Sequence, residues 1–147
     1  MRATIDTSAW ISVILSRLGR AQPIAEALRS GRVTLLTSEP VFAEMAEVTE
    51  RPRLVRTGEA RLLARSLVAM IRERAEFVTV AGNLQLCRDP NDDMVIETAL
   101  RGVADVLVTE DKDLIEDSKV RAALAVADVR VLRVAQFLGE IGTSDEA

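Results

Sequence analysis

The sequence predicts one α/β domain: a parallel sheet of about five strands with helices on both faces. Three observations lead there. Short apolar runs alternate with stretches of helical periodicity along the whole chain. Those runs are nearly unbroken in Val, Leu and Ile, as strands buried on both sides require. Hydrophobic residues are 48% of 147, enough for a single core, and no repeat, linker or low-complexity segment divides the chain.

The first strand is expected at Ala3–Asp6 and ends on an acid. Thr7 or Ser8 then offers a cap for a helix through Trp10, Ile11, Ile14, Leu15 and Leu18. A second helix fits Pro23–Ser30 and stops at Gly31. Val33–Thr37 reads as a buried strand. Ser38 can cap the helix after it, with Pro40 in the first turn and Val41, Met45 and Val48 on one face. From Gly58 to Ala75, the spacing of Leu63, Leu67, Met70 and Ile71 gives a long amphipathic helix. Phe77–Val80 is the third strand, followed by a loop over Ala81–Pro90. Asn91 to about Arg101 is expected to be helical, with Ile96, Ala99, Leu100 and Val103 on one face and Gly102 closing it. Val106–Thr109 is the fourth strand, followed by a short acidic helix at Asp111–Asp117 and another helical piece at Val120–Val126. Val129–Leu132 is the fifth strand and Ala135–Ile141 the last helix. The domain is therefore expected over residues 1–141, with a loose polar tail over 142–147.

Absences narrow the chemistry. The chain has no His and no Tyr, and Cys87 is its one cysteine. A Ser-His-Asp triad, a Cys-His pair and the common zinc sites are excluded within it. Whatever it does must rest on carboxylates, hydroxyls, Arg or Lys. A lone cysteine cannot form an internal disulfide, the first residues lack a signal-peptide pattern, and no run approaches ~20 apolar residues. A cytoplasmic protein without a membrane segment is expected. The net charge of −4 gives no overall attraction to polyanions. All 19 basic residues except Lys112 and Lys119 are arginines, the side chain that grips phosphate bidentately.

In open α/β sheets the site lies beyond the carboxyl ends of the strands. Four successive strand exits deliver acids there: Asp6; Glu44 on the following helix; Asp89, Asp92 and Asp93 at a helix start; and Glu110, Asp111 and Asp113. Each also reads singly as a cap, a helix-dipole partner or a solvated side chain. Together they would repel strongly unless cations held them. Oxygen-only ligands select Mg²⁺ or Mn²⁺, which can activate water against a phosphodiester without any His. Helical angles place Asp92 on the buried stripe and Asp93 about 70° off it. Ser8 and Thr109 are hydroxyls able to orient a carboxylate or a water. Cys87 reads as an incidental thiol, and Trp10 and the three Phe residues as core. No Gly-rich phosphate loop occurs, so no nucleotide cofactor is expected.

Ile5-Asp6-Thr7-Ser8, the Ser38…Glu44 helix with Glu50-Arg51-Pro52-Arg53-Leu54, the stretch Cys87–Asp93 and the stretch Leu107–Leu114 together resemble a PIN domain. The similarity runs from Met1 to about Leu138 and is strongest to the VapC-type toxins of prokaryotic toxin–antitoxin systems. It implies a three-layer α/β/α sandwich and a metal-dependent endoribonuclease. The family's catalytic and metal-binding acids fall on Asp6, Glu44, Asp92 and Asp111, and a further acid on Asp113. A homodimer, an RNA substrate and inhibition by a cognate antitoxin are also implied. Ser8, Asp93, Thr109 and Asp113 are expected around the ligand set, and Arg51, Arg53, Arg56 and Arg88 are candidate RNA contacts. Glu110 departs from that branch, which usually has a small residue there; it either adds charge at the site or points to solvent. Two other readings stay open: an aspartate-phosphorylated receiver or phosphatase-like domain, and an inactive module that binds RNA or protein. Asp6 lacks the receiver's acidic pair, and Asp6-Thr7-Ser8 lacks the phosphatase's second Asp.

Overall fold

Five strands, β1 (Arg2–Ile5), β2 (Thr34–Thr37), β3 (Glu76–Phe77), β4 (Val106–Val108) and β5 (Arg130–Leu132), form one parallel sheet in the order β3-β2-β1-β4-β5. The computed structural model describes residues 1–16 and 18–143. The helices are α1 (Thr7–Leu15), α2 (Leu18–Ser30), α3 (Glu39–Val48), α4 (Gly58–Arg74), α5 (Pro90–Arg101), α6 (Lys112–Glu116), α7 (Ser118–Val126) and α8 (Val134–Thr143).

Alternation along the strands creates two cores. Ala3 and Ile5 of β1 and Val106 and Val108 of β4 face one way, onto Trp10 and Ile14 of α1, Ile24 of α2, Leu67 of α4 and Phe137 of α8. Leu36 of β2 and Leu107 of β4 face the other way, onto Ile96 of α5, Leu114 of α6 and Leu124 of α7. Each such fully buried side chain stabilises the fold by about 1.5–3 kcal/mol. The result is the three-layer α/β/α sandwich that the unbroken apolar runs predict.

The strand order also fixes where a site can form. From β1 the chain steps outward through β2 and β3, then jumps back to build β4 and β5 on the other side. The chain therefore leaves β1 and β4 in opposite directions, opening a crevice at their carboxyl ends. Ile5 stands opposite Val108, so Asp6 and Thr109 leave the sheet side by side.

Several boundaries differ from the sequence reading. Asp6, with extended φ −70° and ψ 156°, caps α1 in place of Thr7 or Ser8, because Thr7 is already helical. The second helix starts at Leu18, so Pro23 lies inside it. Ser38 occupies the cap position of α3 without a side-chain cap bond. Its Oγ is 2.8 Å from Thr98 Oγ1 on α5, tying α3 to α5. The third strand has only two residues; Val78 N–H still donates to the Thr37 carbonyl, after which the chain leaves the sheet. The last helix runs on to Thr143, and residues 144–147 of the expected tail lie outside the described residues. Among the described residues, no helix is long and apolar enough to cross a membrane.

Candidate functional site at the β1/β4 switch point

Asp6 is 4% exposed and every oxygen of its carboxylate has a donor. Thr7 N–H donates to Oδ1 at 2.8 Å, while Ser8 Oγ and Thr109 Oγ1 donate to Oδ2 at 3.0 and 2.9 Å. The two hydroxyls accept in turn: Ser8 Oγ from Glu110 N–H and Thr109 Oγ1 from Asp111 N–H, both at 3.0 Å. With both hydroxyl protons committed to Asp6, the two residues staple the exits of β1 and β4 together. Burial raises the Asp6 pKa, the three hydrogen bonds oppose that, and Asp111 adds repulsion.

Asp111 follows as the N-cap of α6, its Oδ1 accepting Asp113 N–H at 2.9 Å. Glu44, half-buried on α3, has a raised pKa, first from burial and then from Asp6 and Asp89. The Thr7 hydroxyl lies beside Glu44 and opposes the shift, without forming a full hydrogen bond. Asp92, in the first turn of α5, is pushed up to about 7, by burial first, then by Asp6, Asp111, Asp89 and Glu44. The structure therefore brings Asp6, Glu44, Asp92 and Asp111 within electrostatic reach of one another. Asp89, the cap of α5, is a fifth acid in that field. Among the described residues, no three His, Cys, Asp or Glu side chains are grouped so as to hold one ion between them.

The neighbouring acids have other duties. Asp93 is more buried than Asp92, at 7% exposed, and its Oδ1 accepts N–H bonds from Leu86 and Cys87 at 2.9 and 2.8 Å. By helical angle alone Asp93 lies off the buried stripe, but the loop before α5 folds over that side of the helix and covers it. Glu97, one turn on, accepts from the N–H groups of Ala81 and Gly82 and from Arg101 Nε. Burial works against its charge, yet these bonds hold its pKa below the ordinary value. Sequence reading missed Glu97, since a carboxylate followed by Arg four residues on looks like a solvated pair. Glu110 neither joins the acids nor faces open solvent. Its Oε2 accepts Val134 N–H at 2.8 Å at the start of α8, with Arg133 3.8 Å from Oε1. Asp113 is exposed and lines the cleft beside Asp92.

Burial and the Asp93 carboxylate push the Cys87 thiol up to about 12, so it stays protonated. Trp10, Phe42 and Phe137 are core, as expected; Phe77 is partly covered, with the Arg72 guanidinium over it and over Phe42. Of the four candidate arginines, Arg51 is paired with Glu47, and Arg53 and Arg56 line a shallow hollow with Ile14 and Leu15. Only Arg88 shares a cleft with a site carboxylate.

Fold and site together define a three-layer α/β domain with carboxylates gathered at its switch point. A model of the PIN domain family matches residues 2–113, a span containing Asp6, Glu44, Asp92 and Asp111, and the chain belongs to that family. Membership brings a general nuclease-like function. Comparison with curated proteins and with solved structures gave no match.

Proposed function

We propose that the protein is a Mg²⁺- or Mn²⁺-dependent endoribonuclease that hydrolyses RNA phosphodiester bonds, and that it is the toxin of a toxin–antitoxin pair. The observation that carries the first half is the mutual repulsion of Asp6, Glu44, Asp92 and Asp111 around the switch point, with Asp92 held near neutrality. Carboxylates gathered at such a cost in charge suit a hard cation. The donors are all oxygen, which fits Mg²⁺ or Mn²⁺ and not zinc. Mg²⁺ commonly rests on one or two carboxylates, with water and substrate phosphate completing its shell, so a closed protein cage is not required.

Asp6 and Asp111, stapled by Ser8 and Thr109, would supply the fixed ligands, and Glu44 and Asp92 would complete the set from α3 and α5. Bound there, the ion would lower the pKa of a water and offset charge on the phosphodiester. Ser8 and Thr109 keep the Asp6 lone pairs oriented, and the low exposure of Asp6 keeps bulk water from screening its charge. The toxin assignment rests on the resemblance of the four motifs to VapC-type chains. With it come a cognate antitoxin as inhibitor and a homodimer as the working state. Arg51, Arg53, Arg56 and Arg88 are proposed RNA contacts, Arg88 first because it stands beside Asp92.

The test is RNA cleavage by purified protein in Mn²⁺ and in EDTA, beside an Asp6→Asn variant. Cleavage in Mn²⁺ alone, reduced at least about a hundredfold by Asp6→Asn, is expected. Equal cleavage in both buffers, or an unimpaired variant, would refute the proposal. RNA binding without turnover in any divalent metal would favour a non-catalytic module.

A further inference from the structure

The cleft beside Asp92 is not used by the carboxylate set, apart from Asp92 itself. It has a volume of about 280 Å³ and lies between the loop leading into α5 and the α6–α7 segment. Its composition is mixed in a way that a metal site is not. Leu114 and Val120, 1% and 0% exposed, form an apolar back wall, and the protonated Cys87 thiol adds a neutral surface. Two cations stand in its lining, Arg88 from the loop and Lys112 from α6. Both are exposed, and neither forms an ion pair among the described residues, although carboxylates line the same cleft. Their charge is thus available to a phosphate. The remaining polar lining is acceptor-only, from Asp89, Asp92, Asp113, Glu116 and Asp117, so carboxylates outnumber the two cations.

We propose that this cleft is a one-nucleotide subsite for the RNA, taking the base next to the scissile phosphate and favouring bases that carry an amino group. The inference rests on the ribonuclease reading of the adjoining site, because Asp92 is a wall shared by both. The volume falls just below the roughly 300–1,000 Å³ of small-molecule sites, so it admits one base and no paired helix. The back wall accepts the flat apolar face of the base. Carboxylates accept from an exocyclic amine such as cytosine N4. Uracil offers carbonyl oxygens at the corresponding edge and meets acceptor against acceptor. Arg88 and Lys112 hold the phosphate that follows, which carries no sequence information.

The experiment measures binding of fluorescent cytidine, adenosine and uridine hexamers at one fixed salt concentration, with Ca²⁺ in place of Mn²⁺. Wild type should bind the cytidine and adenosine hexamers at least about fivefold tighter than the uridine hexamer. Cys87→Phe, which fills the cleft, should abolish that difference. If Cys87→Phe melts early, Glu116→Lys on the exposed rim supplies the same readout. Arg88→Ala with Lys112→Ala should weaken all three hexamers by a similar factor and flatten the salt dependence. Equal affinity for the three hexamers, no binding of any, or discrimination that survives both cleft variants would overturn the subsite. Discrimination in a protein that cuts no RNA in Mn²⁺ would support the subsite and count against the ribonuclease reading alone.

Discussion

Replacing Asp92 with Asn should stabilise the metal-free protein at alkaline pH and leave it unchanged in acid. The Asp92 carboxyl is pushed from 3.8 up to about 7, first by burial and then by Asp6, Asp111, Asp89 and Glu44. At about 1.4 kcal/mol per unit, the full shift corresponds to about 4 kcal/mol. Asp92 is only half-buried, and solvent screening reduces this to about 2 kcal/mol. The sign follows from proton uptake. The folded pKa lies above the unfolded one, so the folded state binds more protons between them. The contribution of Asp92 to wild-type stability is therefore most favourable below pH ~4 and falls as the pH rises through ~7. Asn does not titrate, so its advantage is absent near pH 4 and complete by pH ~8. For a chain of this size that amounts to about 4–8 °C in melting temperature at pH 8 in EDTA. Adding Mn²⁺ should close the gap, because an ion bound by the native carboxylates stabilises wild type more than the variant. A variant that melts at or below wild type at pH 8 in EDTA would refute the repulsion argument.

Three further outcomes are expected. Thr109→Val removes a buried donor to Asp6 and the acceptor of Asp111 N–H, and should lower stability by about 1–3 kcal/mol in denaturant titration while Thr109→Ser retains most of it. Glu97→Ala frees the N–H groups of Ala81 and Gly82, and should open the 81–90 loop to limited proteolysis; unchanged protection would contradict the anchoring role. Cys87, with its thiol held up to about 12, should react with iodoacetamide at pH 8 about a thousandfold more slowly in the folded chain than in the unfolded one.

What the sequence made legible is what local pattern controls. Apolar runs of four or five residues marked β1, β2 and β4, and the acids that follow them marked the crevice. The edge strand is shorter than its pattern, since Val78–Val80 stay strand-like in sequence after their sheet partner has ended. Pro23 read as a helix start, whereas the turn before it, Leu18–Gln22, is already helical, and the helix continues with one backbone donor fewer. Long-range side-chain bonds left no local signal. Asp93 and Glu97 grip a loop 6 to 16 residues away, and Glu110 caps a helix start 24 residues on. In each case an acid with an ordinary surface-like neighbourhood in sequence finds its donors only after the sheet has folded. The Ser8–Asp6–Thr109 staple is intermediate: its hydroxyls were visible, but their joint hold on one carboxylate needed the β1–β4 register.

Direct measurement of Mn²⁺ binding, by the loss of the free-ion paramagnetic resonance signal, tests the acidic set most plainly. Wild type should take up Mn²⁺ at millimolar concentration or below and release a proton on binding near pH 6, as Asp92 ionises. Asp6→Asn and Asp92→Asn should each weaken uptake markedly while keeping a cooperative melting transition. No uptake by wild type up to ~10 mM, or equal uptake by all three proteins, would contradict the claim that these carboxylates form a metal site.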